Sequence, residues 1–391
     1  MPVLAAAFGT ATLLLFWVYV GYPAVVALAA RLRPVRLDGD GAPRSVTVAI
    51  AVHDEAGEIA RRIADALAQD GPASPIAEVL VGSDGSTDGT DAAVEAIARA
   101  DPRVRLLALP RAGQTPTQNA LFAAARGDVV VLTDAETSFA PDAIARLCAP
   151  FADPRVGATT GRLEWRDEGA TATSRNEGLY WRYERRVRGL ESRAGWLTAV
   201  TGAILAVRRS VYRPVPPTAS MDHLLPLYVR EQGDLVVYVA GAVATDRPIS
   251  GVREQFRSRS RTATRGIRAN LSMAGRLAPW RRPSAALAIW SHKLLRWATP
   301  LLLAVAVASS AGLALGGWTP GGFVPTLAAV GVAGAALAHG LVRAGRTPPR
   351  AIAFARAFAV VNLAFAVAWL NVLRRRRIET WRRTEWEASG G

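Results

Sequence analysis

Residues 128–137 read Asp-Val-Val-Val-Leu-Thr-Asp-Ala-Glu-Thr, a short β-branched apolar run that ends on two carboxylates. Such a run, bounded by polar residues, marks a strand buried on both faces, as in a parallel sheet covered by helices. Asp134 and Glu136 then lie at the strand's carboxyl end, where open α/β sheets bind their ligands. Two carboxylates two residues apart can share one hard cation, Mg²⁺ or Mn²⁺, which neutralises a diphosphate and stabilises it as a leaving group. A solvated acidic loop has the same letters, so the motif takes its meaning from its surroundings.

Outward from that strand, short apolar segments alternate with amphipathic ones. Residues 46–52, 78–82, 104–109, 128–132 and 157–163 predict strands, and 56–69, 88–100, 116–126 and 141–150 the helices between them. Strands separated in this way argue for a mostly parallel sheet within a soluble α/β domain over residues 44–250. Further strands are expected at 198–207 and 235–240, around a helix that begins near Asp222.

Other strand ends carry similar chemistry. Ala51-Val52-His53-Asp54-Glu55 closes the first strand, and Ser83-Asp84-Gly85-Ser86-Thr87-Asp88-Gly89-Thr90 closes the second. Asp84 has the chemistry to accept hydrogen bonds from a base or ribose, Gly85 permits close backbone approach, and Thr87 or Asp88 can cap the next helix. A good turn followed by a cap would also read this way. Met221-Asp222-His223 opens a helix that continues Leu-Leu-Pro-Leu-Tyr-Val. Asp222 is a helix cap or, beside a sugar donor, a general base for an acceptor hydroxyl. His223 is placed to compete for that role.

The flanks differ from this centre. Half of the 391 residues are hydrophobic, yet the net charge is +15. Hydrophobicity and charge occupy different places: apolar runs lie at both ends, with Arg clusters beside them. Residues 3–30 are long enough to cross ~30 Å of hydrocarbon. Ala27 and Ala29 resemble a signal-peptidase site, but no Lys or Arg precedes the run, and Arg31, Arg33 and Arg36 follow it. The positive-inside rule therefore reads an uncleaved anchor with residue 31 onward in the cytoplasm. An Arg-rich link over 251–282 leads to an interfacial segment containing Trp290, Lys293, Arg296 and Trp297. Spans follow at about 299–316, 323–342 and 352–373, before Arg374 to Arg377, Trp381 and Trp386. Three spans after a cytoplasmic domain would carry the final Arg run outside. Either one segment is re-entrant or interfacial, or residues 284–297 join a further crossing.

No interleaved basic and aromatic stretch offers a base-stacking platform, so the charge implies acidic lipid head groups and phosphorylated substrates, with no nucleic acid partner. Cys148 is the sole cysteine, which rules out an intramolecular disulfide.

In order and spacing, AVHDE, GSDGSTDGT, GQTPTQN, TDAET, GAILAVRRS and MDHLLPL, followed by the Arg-rich link, resemble the family 2 glycosyltransferases over about residues 44–270. The apolar segments beyond resemble that family's membrane-bound synthase branch. The resemblance implies a GT-A (Rossmann-like) α/β fold, a nucleotide-sugar donor, a lipid-linked or glycan acceptor and an inverting single displacement at the membrane. It places Ala51, Glu55, Asp84 and Asp134 around the nucleotide sugar, Asp134 and Glu136 on the divalent cation, and Asp222 at the catalytic base. In the link, Arg257, Arg259, Arg261 and Arg265 have the charge to close over the phosphates, with Arg259 and Arg261 the candidates for phosphate or acceptor contact, and a basic helix against lipid head groups would read the same way.

The implied organisation is an N-terminal transmembrane anchor (1–36), the catalytic domain (44–250), Arg-rich and interfacial helices (251–298), C-terminal transmembrane helices (299–373) and a basic tail (374–391). Some positions depart from the family pattern. Gln114 stands where Lys is frequent, the metal motif is D-x-E, and Met221 replaces the first acid of the catalytic pair. The Q-x-x-R-W signature of processive synthases is reduced to Ser258-Arg259-Ser260-Arg261-Thr262, which puts long-chain synthesis in doubt. A catalytically inactive membrane scaffold is the rival reading, and intact Asp84, Asp134 and Asp222 argue against it.

Overall fold

Every residue of strand β1 (Val46–Val52) is buried, because helices cover both faces of the sheet that it centres. Val46, Val48, Ile50 and Val52 point into one apolar layer with Ile59, Ile63 and Ile144. Ala49 and Ala51 join a second layer with Leu121, Phe122 and Leu224, and that layer continues outward to Ile267, Trp297 and Phe365. The structure, a computed structural model, describes residues 1–38, 45–165, 172–246 and 252–376.

The remaining strands are β2 (Ile76–Asp84), β3 (Val104–Leu109), β4 (Val129–Thr133), β5 (Ser138–Phe139), β6 (Val156–Trp165), β7 (Leu205–Arg208) and β8 (Leu235–Asp246). They form one eight-stranded sheet in the order β3-β2-β1-β4-β7-β6-β8-β5. The half built from β3, β2, β1 and β4 is parallel, as the alternation of strands and helices predicts. β7 then runs antiparallel between β4 and β6, so the other half is mixed. GT-A is the fold.

Two strands differ from expectation. Within 198–207 only Leu205–Arg208 is extended; Gly202–Ile204 is a 3₁₀ turn that brings the chain against Asp222. β8 runs six residues beyond the predicted 235–240 and ends on Asp246. β6 and β8 pair through a shift near Gly161, where an added Cβ would stand 2.5 Å from the Ala242 carbonyl oxygen. Only glycine allows the two strands to stay paired there.

Among the described residues, three helices are long and apolar enough to cross a membrane: Pro2–Leu32, Thr319–Arg343 and Arg350–Leu373. Pro283–Trp297 and Thr299–Leu315 meet at a 61° bend and qualify only as a pair. The second member lies antiparallel beside the first helix. Tyr19 Oη and Thr299 Oγ1 are 3.1 Å apart, and at the other end Gly312 faces Leu4. Lys293 and Arg296, read from sequence as interfacial, are turned inward and buried against the Ala172–Arg193 helix. The last helix packs back on the Val252–Met273 helix and on Trp297: Arg268 Nη2 donates to the Asn371 carbonyl at 3.1 Å, and Trp369 Nε1 to the Trp297 carbonyl at 3.1 Å. Arg377, Trp381 and Trp386 lie outside the described residues.

Candidate active site

The loops after β1 and β2 are laced together. Asp54, at φ 57°, accepts from the Thr87 N–H at 2.7 Å; Thr90 Oγ1 accepts from the Glu55 N–H at 2.8 Å, and Asp88 from the Ala56 N–H at 3.0 Å. Asp84 is fully buried. Its carboxylate accepts from the Ala112 N–H at 2.6 Å, the Gly113 N–H at 2.9 Å and Arg111 Nη1 at 2.9 Å. Asp84 therefore faces the 111–113 loop, whereas Ala51, Glu55, Gly113 and Gln114 line the cavity beyond it.

Asp134 and Glu136 follow β4 into the same cavity. Behind them Arg62, fully buried, braces the strand end. Its Nη2 donates to Thr133 Oγ1 at 3.0 Å, its Nε to the Asp134 carbonyl at 3.3 Å, its guanidinium pairs with Asp65, and it lies 4.1 Å over the Phe139 ring. Gln114 Nε2 reaches Asp134 Oδ1 at 3.5 Å, so the residue in the family's lysine position touches the acidic motif. Burial pushes the Asp134 carboxyl up to about 7, the carboxylates of Asp246, Asp222 and Glu136 add to the shift, and Arg62 opposes it. A carboxyl crowded by other carboxylates is a position where a cation would relieve repulsion. Among the described residues no three His, Cys, Asp or Glu side chains form a cage able to hold a metal alone. A hard ion bound by one or two carboxylates plus substrate phosphates fits this donor set.

Asp222 sits in the first turn of the Met221–Gln232 helix, whose N-cap is Ser220. Its Oδ1 is 3.0 Å from His223 Nδ1, which also lies 2.8 Å from Ser220 Oγ. Burial acts to raise the Asp222 carboxyl, but His223, Ser220 and Arg265 outweigh it and hold the group well below the usual carboxylate range. Asp222 is thus held as the carboxylate, the protonation state in which a general base acts.

These groups surround a cavity of about 450 Å³ lined by Asp134, Glu136, Asp246 and Asp222 and by Arg261 and Arg265. Arg259 instead lines a second cavity of about 280 Å³, which extends to Trp165, Trp297 and Phe365. Asp222, His223, Thr201, Gly202, Leu163 and Thr262 line both cavities. Sequence reasoning missed Asp246 and Arg62. The apolar run that resumes after Gly241 and continues to Ala244 signalled the first, and an arginine on the Ile59/Ile63/Ala66 face signalled the second.

The Glycosyl transferase family 2 model matches residues 47–215. An N-acetylglucosaminyltransferase of Sinorhizobium fredii is 26% identical over 307 residues, covering 74% of this chain and 73% of the relative. A succinoglycan biosynthesis protein, ExoO, of Rhizobium meliloti is 42% identical over 103 residues, covering 26% of this chain and 28% of that one. The mannosyltransferase PcManGT of Pyrobaculum calidifontis, solved with GDP-Man and Mn²⁺, superposes with a TM-score of 0.69 at 22% identity, covering 95% of this chain and 99% of that one.

Proposed function

Residues 47–215 match the glycosyl transferase family 2 model, and on that premise we propose an inverting transfer of a sugar from a nucleotide-sugar donor to a glycan or lipid-linked acceptor at the membrane surface. The observation that carries the proposal is that Asp222 lines both a carboxylate-lined cavity and a second one that reaches Trp165, Trp297 and Phe365. A single displacement needs this arrangement: donor on one side of the base, acceptor hydroxyl on the other.

In this reading Ala51, Glu55 and the 111–113 loop seated by Asp84 surround the nucleotide. Asp134 and Glu136 hold a divalent cation, which, when bound, supplies positive charge to the diphosphate. Asp222 takes the acceptor hydroxyl proton as that oxygen bonds to the anomeric carbon, and the bond from that carbon to the diphosphate oxygen breaks. Arg261 and Arg265 face the departing charge, where fixed cations stabilise it. The rhizobial relatives make N-acetylglucosamine the first donor sugar to test, and a polysaccharide precursor the first acceptor. Steady-state transfer with purified full chain, across donors and acceptors, tests the reading.

The raised Asp134 carboxyl sets a pH dependence. A cation must displace its proton, so affinity for Mn²⁺ is full above about 7 and falls as the pH drops below it, approaching about tenfold per unit. Titration of Mn²⁺ by electron paramagnetic resonance between pH 5.5 and 8 is expected to show this loss. Affinity constant over that range would remove Asp134 from the cation's ligands.

The proposal also fixes topology. The first helix delivers Arg31 and Arg33 to the catalytic domain's side, and Arg268 holds Asn371 there as well. Both basic ends then lie in the cytoplasm, and one of the three C-terminal apolar segments does not fully cross. Reporters fused near residue 40 and after residue 391 are expected to be cytoplasmic together; opposite sides would contradict it.

A further inference from the structure

A group of buried charges to which the transfer step as proposed assigns no role lines part of the second cavity, where the Ala172–Arg193 helix, the bent pair and the first helix meet. The Glu184 side chain is 2% exposed; its carboxylate pairs with His292 Nε2 at 3.1 Å, Lys293 Nζ at 3.5 Å, Arg188 Nε at 3.0 Å and the Arg296 guanidinium. Glu191, also buried, accepts from Tyr22 Oη at 2.5 Å and lies 2.8 Å from His292 Nδ1. Two π-helical turns, Trp17–Gly21 and Ile289–Leu294, face each other here, with Trp17 Nε1 donating to Ser291 Oγ at 2.9 Å. Such turns interrupt helices frequently at functional sites. An apolar junction of similar volume would hold the helices at least as firmly, so stability alone does not account for the charges.

One arm of the network leaves the junction. Arg188 Nη1 donates to Thr201 Oγ1 at 2.8 Å, and the Thr201 N–H donates to Thr160 Oγ1 at 3.0 Å. The next residue, Gly202, lies against the base: a Cβ there would stand 3.5 Å from the Asp222 Cβ. Thr201 and Gly202 belong to the wall that the two cavities share.

We propose that Arg188, held by Glu184, is a positioning residue that fixes the Thr201–Gly202 turn against Asp222 and so ties the geometry of the base to the docking of the first helix and the bent pair. The inference rests on the assignment of Asp222 as base. It makes turnover depend on contacts within the helical junction, remote from donor and cation.

The test uses full-length Arg188→Met, Thr201→Val and the double variant in lipid nanodiscs. Each single change is expected to lower kcat about tenfold with donor and acceptor KM both within about twofold, the signature of a misplaced base and not of a lost substrate contact. Both changes cut one hydrogen bond, so the double variant falls no further than the worse single one. Arg188→Lys restores part of the rate. Hydrogen exchange of residues 198–206 quickens in Arg188→Met, a readout that does not need an active donor. Additive losses, a kcat in Thr201→Val equal to wild type, or unchanged exchange would overturn the inference, and Thr201→Val decides the matter if Arg188→Met does not fold. Absence of transfer by the wild-type chain, with exchange responding as stated, would count against the proposed reaction and not against the positioning role.

Discussion

Asp222→Asn is expected to lower sugar transfer by about 10²–10⁴-fold while donor binding stays within about twofold, the usual cost of losing a general base. Asn keeps the shape of the side chain and an oxygen beside His223, so the first turn of the Met221–Gln232 helix retains its seat, while the charge that His223, Ser220 and Arg265 stabilise is lost and the variant is expected to melt below wild type at neutral pH. The low-lying Asp222 carboxyl makes the loss uniform through neutral pH, since the wild-type group is ionised across that range. His223 is 14% exposed and shares its Nδ1 between Ser220 and Asp222, a position suited to orienting the base. If Asp222→Asn keeps more than about a tenth of wild-type turnover, Asp222 is a structural residue, and His223→Gln becomes the variant to compare.

Asp134→Asn has the second large effect, on donor binding and turnover together. Removing a ligand to the ion that stabilises the leaving group costs several kcal/mol, on the order of 10²–10³-fold in rate. Its signature is in the unfolding temperature. Because the folded-state carboxyl is raised to about 7, ionising Asp134 destabilises the cation-free fold increasingly as pH rises from the unfolded value toward 7. Without metal, the Asn variant is therefore expected to melt at or above the wild-type temperature at pH 8, with the difference shrinking toward pH 5. Mn²⁺ should raise the melting temperature of the wild type and leave the variant unmoved. A variant that melts lower in EDTA and still responds to Mn²⁺ would place the ion elsewhere.

Asp134, Glu136 and Asp222 were legible in the sequence because each ends an apolar strand or opens a helix, and local pattern fixes such positions. Asp246 was not, because strand β8 was read as ending at 240; the Gly241 that seems to break it sits beside the shift that lets β6 and β8 stay paired. Asp84 was legible as a strand-end carboxylate but not in its partner: its bonds to the 111–113 loop link segments 27 or more residues apart. The same distance hides Arg188 and Glu184, which read locally as ordinary charges on a polar helix. Their partners Thr201, His292 and Arg296 come from elements that only tertiary packing brings near. The antiparallel pairing of β7 between β4 and β6 likewise joins segments far apart in the chain, which local propensity cannot express.

The most direct test of the central claim is nucleoside diphosphate release from a panel of nucleotide sugars by the purified full chain in nanodiscs, with Mn²⁺, with EDTA, and with Asp222→Asn in parallel. Release from one or a few donors, abolished by EDTA, restored by Mn²⁺ and reduced about 10²-fold or more in the variant, is the predicted result. Release that persists undiminished in chelator, or that the Asp222→Asn chain matches, would contradict it.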